Sequence, residues 1–334
     1  MYDIAASVDE LLARAERRES FVNPDGRSGA AFERVWIEGV AHVVKHLHVD
    51  NDFLMRVSGD IGCRPVLAWA VGLLDAAPDL VDHAVVGGAL GEGRNGWGAA
   101  LLMRDISDEL LPDDGSVLDA DQHGRFLDHV AGMCAATWGF HDDPTNRLGL
   151  VAYPTRWSWF DAEAIAAEEQ LGWPERVPQI ARDGWDRFAD RAPVDVARMV
   201  GELLHDVSPL ADALRATPSC LLHGDVKASN TGVGRDGRTV LIDWAYVGEG
   251  PACHELVWHV ALDRARLPVS KDETIAAFRS GLERHGIDTA PWWDRQLALC
   301  LLGGLVQFGW EKALGDDDEL GWWCDRALEG ARFL

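Results

Sequence analysis

The stretch that decides the fold reads Leu221-Leu222-His223-Gly224-Asp225-Val226-Lys227-Ala228-Ser229-Asn230, followed by Val240-Leu241-Ile242-Asp243-Trp244. Two apolar runs each deliver a polar residue at their end. Asp225 and Asn230 lie on one loop, so the loop presents a carboxylate at its start and an amide at its finish. Asp243 follows the apolar run 239–242, which places its carboxylate at a strand end, and Asp236-Gly237 is a turn signal that folds the second run back beside the loop. Three oxygen-bearing side chains thus converge. Phosphoryl transfer needs that set: a carboxylate to orient the attacking hydroxyl, and hard oxygen ligands for the magnesium that chelates a triphosphate. The plainer interpretation, an acidic hairpin with a solvated Asp and Asn, leaves the strand–loop–strand context unexplained.

Working outward toward the N-terminus, apolar residues at helical spacing (Ala6, Leu11, Leu12, Ala15) predict an amphipathic helix over residues 6–18. Residues 32–38 and 40–47, separated by Gly39, read as a hairpin. Residues 64–75 read as a helix with Pro65 in its first turn. Further strands are expected at 85–86 and 99–103, split by the Gly-rich turn 91–98. Helices then take over: 121–139 carries Phe126, Leu127, Val130, Met133, Cys134 and Trp138 on one stripe, residues 140–190 are irregular and Trp-rich, and 194–215 is helical again. The boundary between a β-rich region and a helical one falls near 103–108, giving lobes 1–105 and 106–334.

The spacing H-G-D-x-x-x-x-N followed by an apolar strand and I-D-W resembles the catalytic and metal-binding segments of aminoglycoside phosphotransferases and choline kinase-like small-molecule kinases. Protein kinases use the same spacing with H-R-D and D-F-G. The resemblance implies an α+β, two-lobed, protein-kinase-like fold, with a small β-rich N-lobe and a larger, mostly helical C-lobe. It implies ATP and Mg²⁺ as cofactors, Asp225 as catalytic base, Asn230 as a magnesium ligand and Asp243 as the principal one. His223 is expected to hold the loop, Lys227 to touch the transferred phosphate, and Glu255 to brace the loop where relatives carry another acid.

On the nucleotide side, Val43, Lys45 and Leu47 share one face of their strand. By the same resemblance Lys45 meets the α- and β-phosphates and Val43 packs on adenine. Ser28, in the short loop 25–29, covers the phosphates. The connector 102–105 supplies backbone bonds to the base, with Met103 lining the pocket and Asp105 at its end. The kinase fold pairs its lysine with a Glu from the following helix, yet no Glu occurs between Glu38 and Glu92. Asp60, with Asp52 behind it, is the candidate substitute.

Composition narrows the partners. The 334 residues carry a formal net charge of −24, which repels nucleic acid and anionic membrane and attracts cations. No apolar segment of membrane-spanning length is evident, the longest run being 297–306, and the first 20 residues lack a signal-peptide core; a cytoplasmic location is expected. The six cysteines form no C-x-x-C pair and read as buried thiols. Fifteen Trp against three Tyr suggest packing anchors with a minority lining a groove. The acids Asp142, Asp143, Asp161, Glu163, Asp294, Glu311 and 316–319 are expected to wall the acceptor side. The expected activity is ATP-dependent transfer of the γ-phosphate to a hydroxyl of a small, neutral or cationic, amine-bearing polyol such as an amino sugar or aminoglycoside-like compound. A nucleotide-binding module without transfer is the alternative; a protein kinase is disfavoured because no A-P-E-like segment follows Asp243.

Overall fold

The structure is a computed structural model, described for residues 1–22, 29–93, 96–143, 145–173 and 175–334. Its N-terminal part comprises α1 (Val8–Leu11), β1 (Ala15–Phe21), β2 (Ala31–Ile37), β3 (Val40–Leu47), α2 (Phe53–Val57), α3 (Arg64–Ala70), β4 (Val81–Asp82), β5 (Val85–Gly93) and β6 (Gly96–Arg104). Five of the strands form one antiparallel sheet in the order β1-β2-β3-β6-β5. The expected hairpin 32–47 is present. Its two turn residues, Glu38 and Gly39, both have positive φ (52° and 74°), the geometry that matches a tight turn to the strand twist.

The side chains of β3 alternate as the sequence demands. Val44, with Val35, Ala100 and Leu102, packs outward against Val8 and Leu12 of the N-terminal segment. Leu47 and Leu101 face inward and join the main core. The helix expected over 6–18 is confined to Val8–Leu11; from Ala15 the chain becomes the edge strand β1. The apolar period stops at Ala15, and the charged run that follows gains more by pairing with β2 than by continuing a helix with no apolar stripe. The helix expected over 64–75 starts as predicted at Arg64 with Pro65 in its first turn, but ends at Ala70 before a 3-10 turn.

The C-terminal part contains α4 (Ala120–Ala136), α5 (Ala162–Gln170), α6 (Arg176–Arg191), α7 (Val194–His205), α8 (Ser208–Arg215), β7 (Cys220–Leu222), β8 (Thr231–Val233), β9 (Thr239–Leu241), β10 (Gly248–Gly250), α9 (Cys253–Leu262), α10 (Lys271–Arg284), α11 (Trp293–Leu314) and α12 (Asp317–Gly330). Two sequence expectations need correction. The region 140–190 is not irregular throughout, because α5 and most of α6 lie in it. The helical stretch 194–215 is two helices, broken between His205 and Ser208, where Pro209 opens the second.

Two helices form the centre. All residues of α9 from Cys253 to Ala261 are buried. Helix α11 is, among the described residues, the one helix long and apolar enough to cross a bilayer, and 78% of that window is buried inside the fold. The six cysteines are free and buried. The β-rich and helical parts are stitched together by β4, which pairs in parallel with β9. There Arg238 donates to Asp82 (3.1 Å) and to the Pro78 carbonyl (3.1 Å).

Candidate active site

Strand β7 pairs with β10, and β8 with β9, so the loop 223–230 leaves one small sheet and enters another. Both ends of the Ile242 peptide are held. Its N–H donates to the Asn230 carbonyl (3.0 Å), and its carbonyl accepts from His223 Nε2 (2.9 Å). His223 Nδ1 accepts the Asp225 N–H (3.1 Å), which fixes the Nε2–H tautomer. Burial lowers the pKa of this imidazole to about 4, so it stays neutral and ties the two segments together. Gly224 has φ +84°, and a Cβ there would lie 2.6 Å from the Tyr246 carbonyl oxygen; only glycine fits.

Asp225 is buried and its carboxylate is fully engaged. Oδ1 accepts from Trp258 Nε1 (2.7 Å); Oδ2 accepts from Lys227 Nζ (2.8 Å) and from Asn230 Nδ2 (2.7 Å). Burial pushes its pKa up, against the opposing pull of Lys227. Asn230 also donates Nδ2 to the Asp225 carbonyl (3.0 Å). With the NH₂ group committed, the amide oxygen is the atom left to face a cation. Glu255, on α9, accepts the His223 N–H (2.5 Å) and the Gly224 N–H (3.1 and 3.2 Å). The bracing acid anticipated from the sequence therefore holds the start of the loop.

Asp243 caps a short 3-10 turn with φ 66°, a left-handed conformation that Asp tolerates better than most residues. Its Oδ1 accepts from Lys45 Nζ at 2.8 Å, with side-chain exposures of 9% for the lysine and 32% for the aspartate. Burial works against ionisation of Asp243, but Lys45 and, behind it, Lys227 together outweigh it and hold the carboxyl below its usual range. Asp60 is not the partner of Lys45: its Oδ1 accepts the Arg64 N–H (2.7 Å) at the head of α3. Asp52 caps α2 through Leu54 and Met55 (2.9 and 3.1 Å); burial pushes its pKa up, against the opposing pull of nearby Lys45. Lys45, Asp52, Asp60, Asp225, Lys227 and Asp243 line one cleft with about 510 Å³ of empty space, open solvent at its mouth included.

Val43 and Met103 are directly opposed across β3 and β6, as are Lys45 and Leu101. Val43 thus shares the inward face with Lys45, one register step nearer the end of β6. The Asp105 carboxylate accepts from Arg34 Nε (2.8 Å) and Ser107 Oγ (2.5 Å), so its side chain locks the connector to β2. Ser28 lies outside the described residues. The acids expected to wall the acceptor side are mostly occupied elsewhere. Asp161 and Asp316 cap α5 and α12, and Glu311 pairs with Lys312 (2.7 Å). Among the described residues, the carboxylates that do line the cleft besides Asp225 and Asp243 come from residues 52 and 60.

Sequence reasoning missed an aromatic cluster behind Asp225. Trp258 holds the Asp225 carboxylate, and the rings of Trp159, Tyr246 and Trp258 gather within 4.2–5.8 Å of one another. The available signal was position: Trp258 follows Glu255 by one helical turn and so shares its face.

A family model described as the phosphotransferase enzyme family matches residues 64–288. No curated protein sequence matches the chain. Among solved structures, choline kinase LicA from Streptococcus pneumoniae aligns with a TM-score of 0.53 at 15% identity, covering 97% of each chain. A second structure, LicA in complex with AMP, aligns at 0.52 and 14% identity over 98% of this chain and 96% of that one.

Proposed function

The chain belongs to the phosphotransferase enzyme family and is a small-molecule kinase; from that premise we propose that it moves the γ-phosphate of ATP onto a hydroxyl of an amino sugar or aminoglycoside-like compound. The observation that carries this reading is the triply bonded carboxylate of Asp225, set in one cleft with Lys45, Lys227 and Asp243. Its three donors fix the carboxylate's direction, and its burial raises its basicity. Asp225 receives the proton of the acceptor hydroxyl as the oxygen attacks phosphorus. Lys227, paired with it, is placed to follow the transferred phosphoryl group, and Lys45 to meet the α- and β-phosphates. Val43 and Met103, on the inward face beside Lys45, form the apolar wall for the base.

Asp243 and the Asn230 amide oxygen suit magnesium: both are hard oxygen donors, and Asp243 is partly exposed and held ionised. Among the described residues no three His, Cys, Asp or Glu side chains cluster as a metal cage. That fits a cation shared with nucleotide phosphates rather than enclosed by protein. Magnesium, when bound, neutralises charge on the phosphates.

For the acceptor, Asp52 and Asp60 bring two further carboxylates to the cleft, and Tyr246 also lines it. Both favour an amine-bearing polyol. The test is ADP release over amino sugars, aminoglycosides, amino alcohols, nucleosides and neutral sugars, repeated at rising salt. Turnover best with a cationic acceptor and weakened by salt is the expected result. A carboxylate or phosphate compound as best acceptor, with KM improved by salt, would overturn the acceptor class. No release with any acceptor would overturn transfer itself.

A further inference from the structure

Helix α9 grips the catalytic loop at three points. Glu255, near its start, takes the backbone of His223 and Gly224. Trp258, one turn on, takes Asp225. The third grip lies just past the helix, where buried Asp263 accepts the Ala228 N–H through Oδ2 at 2.8 Å. The same oxygen accepts from His259 Nδ1 (2.8 Å). His259 Nε2 in turn meets Nε2 of His123, on α4, at 3.0 Å. One proton assignment satisfies the row. Nδ1–H of His259 donates to Asp263, which leaves its Nε2 to accept from His123 Nε2–H. All three side chains are at least nine-tenths buried. The two histidines line a second pocket with about 420 Å³ of empty space, open solvent included, which Ala228 and Thr231 also line and which shares no lining residue with the cleft.

A row of buried polar groups is costly unless its bonds are completed. This row is completed on a backbone N–H of the loop that carries the chemistry. From Ala228 the chain makes a single 3-10 turn to Asn230, whose N–H bonds the Lys227 carbonyl (3.0 Å). Fixing the Ala228 N–H therefore fixes the direction of the turn that presents Asn230. Asp225 has its own anchor in Trp258. Each end of the loop thus has a separate anchor outside it, and Asn230 Nδ2 links the two through its bonds to Asp225.

We propose that Asp263 is a positioning residue for the metal-binding end of the catalytic loop, with His259 and His123 aiming its carboxylate. This rests on the reading of Asn230 as a magnesium ligand. Loss of Asp263 leaves the Trp258 and Lys227 bonds on Asp225 intact and frees the turn that carries Asn230, so the magnesium requirement changes and the acceptor KM does not. The Asp263→Asn variant keeps an oxygen for the Ala228 N–H and restores the turn.

The experiment compares the full chain with its Asp263→Ala, Asp263→Asn and His259→Phe variants. The readouts are amide hydrogen exchange of residues 224–231 in the nucleotide-free protein, the magnesium concentration giving half-maximal ADP release, and the acceptor KM. Asp263→Ala is expected to speed exchange at 228–231 and raise the magnesium requirement by about tenfold, the lower end of what displaced supporting residues cost. The acceptor KM stays put, Asp263→Asn recovers most of the loss, and His259→Phe shows a smaller shift of the same kind. Unchanged exchange and magnesium requirement in Asp263→Ala overturn the proposal. So does a general loss, in which acceptor KM and thermal midpoint worsen together and Asn gives no rescue. If Asp263→Ala does not fold, His259→Phe is read by the same criteria. If the wild type releases no ADP with any acceptor, the kinase reading fails by itself. Exchange, together with calorimetry of Mg-ATP binding at several magnesium concentrations, then still decides the role of Asp263.

Discussion

Two lysine–carboxylate pairs face each other across the cleft, and they are built differently. On the loop side, Lys227 and Asp225 lie 2.8 Å apart with exposures of 27% and 6%; on the sheet side, Lys45 and Asp243 lie 2.8 Å apart with exposures of 9% and 32%. In one pair the carboxylate is buried and the lysine reaches toward solvent. In the other the lysine is buried and the carboxylate is open. Asp225 is consequently pushed toward basicity by desolvation, while Asp243 is held ionised by its lysine. The same two residue types thus give a carboxylate pushed toward basicity in one setting and one held ionised in the other, the difference that the proposed base and cation-ligand roles require.

The sharpest break of that contrast is Asp225→Asn. Removing the proton acceptor while keeping the shape is expected to cut turnover by about 10²–10⁴-fold, the range of general-base catalysis. Mg-ATP affinity, measured by calorimetry, should stay within about threefold, since that binding energy is gathered elsewhere. Near-normal turnover would remove Asp225 from the role. Asp243→Ala attacks the other pair. It should weaken Mg-ATP binding by about 10–100-fold and leave magnesium-free nucleotide binding nearly unchanged; Mg-ATP affinity as tight as in the wild type would move the metal elsewhere.

A smaller effect sharpens the comparison. Trp258→Phe keeps the ring and deletes one donor to Asp225 Oδ1, a bond that stabilises the ionised carboxylate. Turnover is expected to fall about tenfold, as for a lost bond to a charged group. The base must be deprotonated to act, and losing the donor raises its pKa further. The acid limb of the kcat/KM profile should therefore move to higher pH; a limb that stays put would detach the indole from the base.

The mildest test concerns the brace. Burial raises the pKa of Glu255 to about 7 in the fold, against about 4.3 in an unfolded chain. The folded state therefore holds the proton more tightly. The stability so contributed is full below the unfolded value and is lost as pH rises through the folded one. Glu255→Gln keeps a carbonyl for the loop and should reduce the decline in thermal midpoint between pH 5 and 8. Some slope remains, because burial also pushes Glu175 to about 7. An unchanged decline would exclude Glu255 as its source.

What the sequence determined by itself is the local chemistry. The Asp225–Asn230 loop, the strand ending at Asp243 and the Glu38–Gly39 hairpin that carries Lys45 are each set by short-range spacing, alternation and turn geometry, and each is present. The helix misread over residues 6–18 shows where this stops: an apolar period of three turns does not reveal that a sheet edge is waiting for the next seven residues. Only the tertiary structure decided the partners. Lys45 lies far along the chain from Asp243, as Ala228 does from Asp263 and its histidines, and Asp225 from Trp258. Burial and hydrogen bonding act through space, so which carboxylate is pushed up and which is held ionised is decided only by the folded cleft around them.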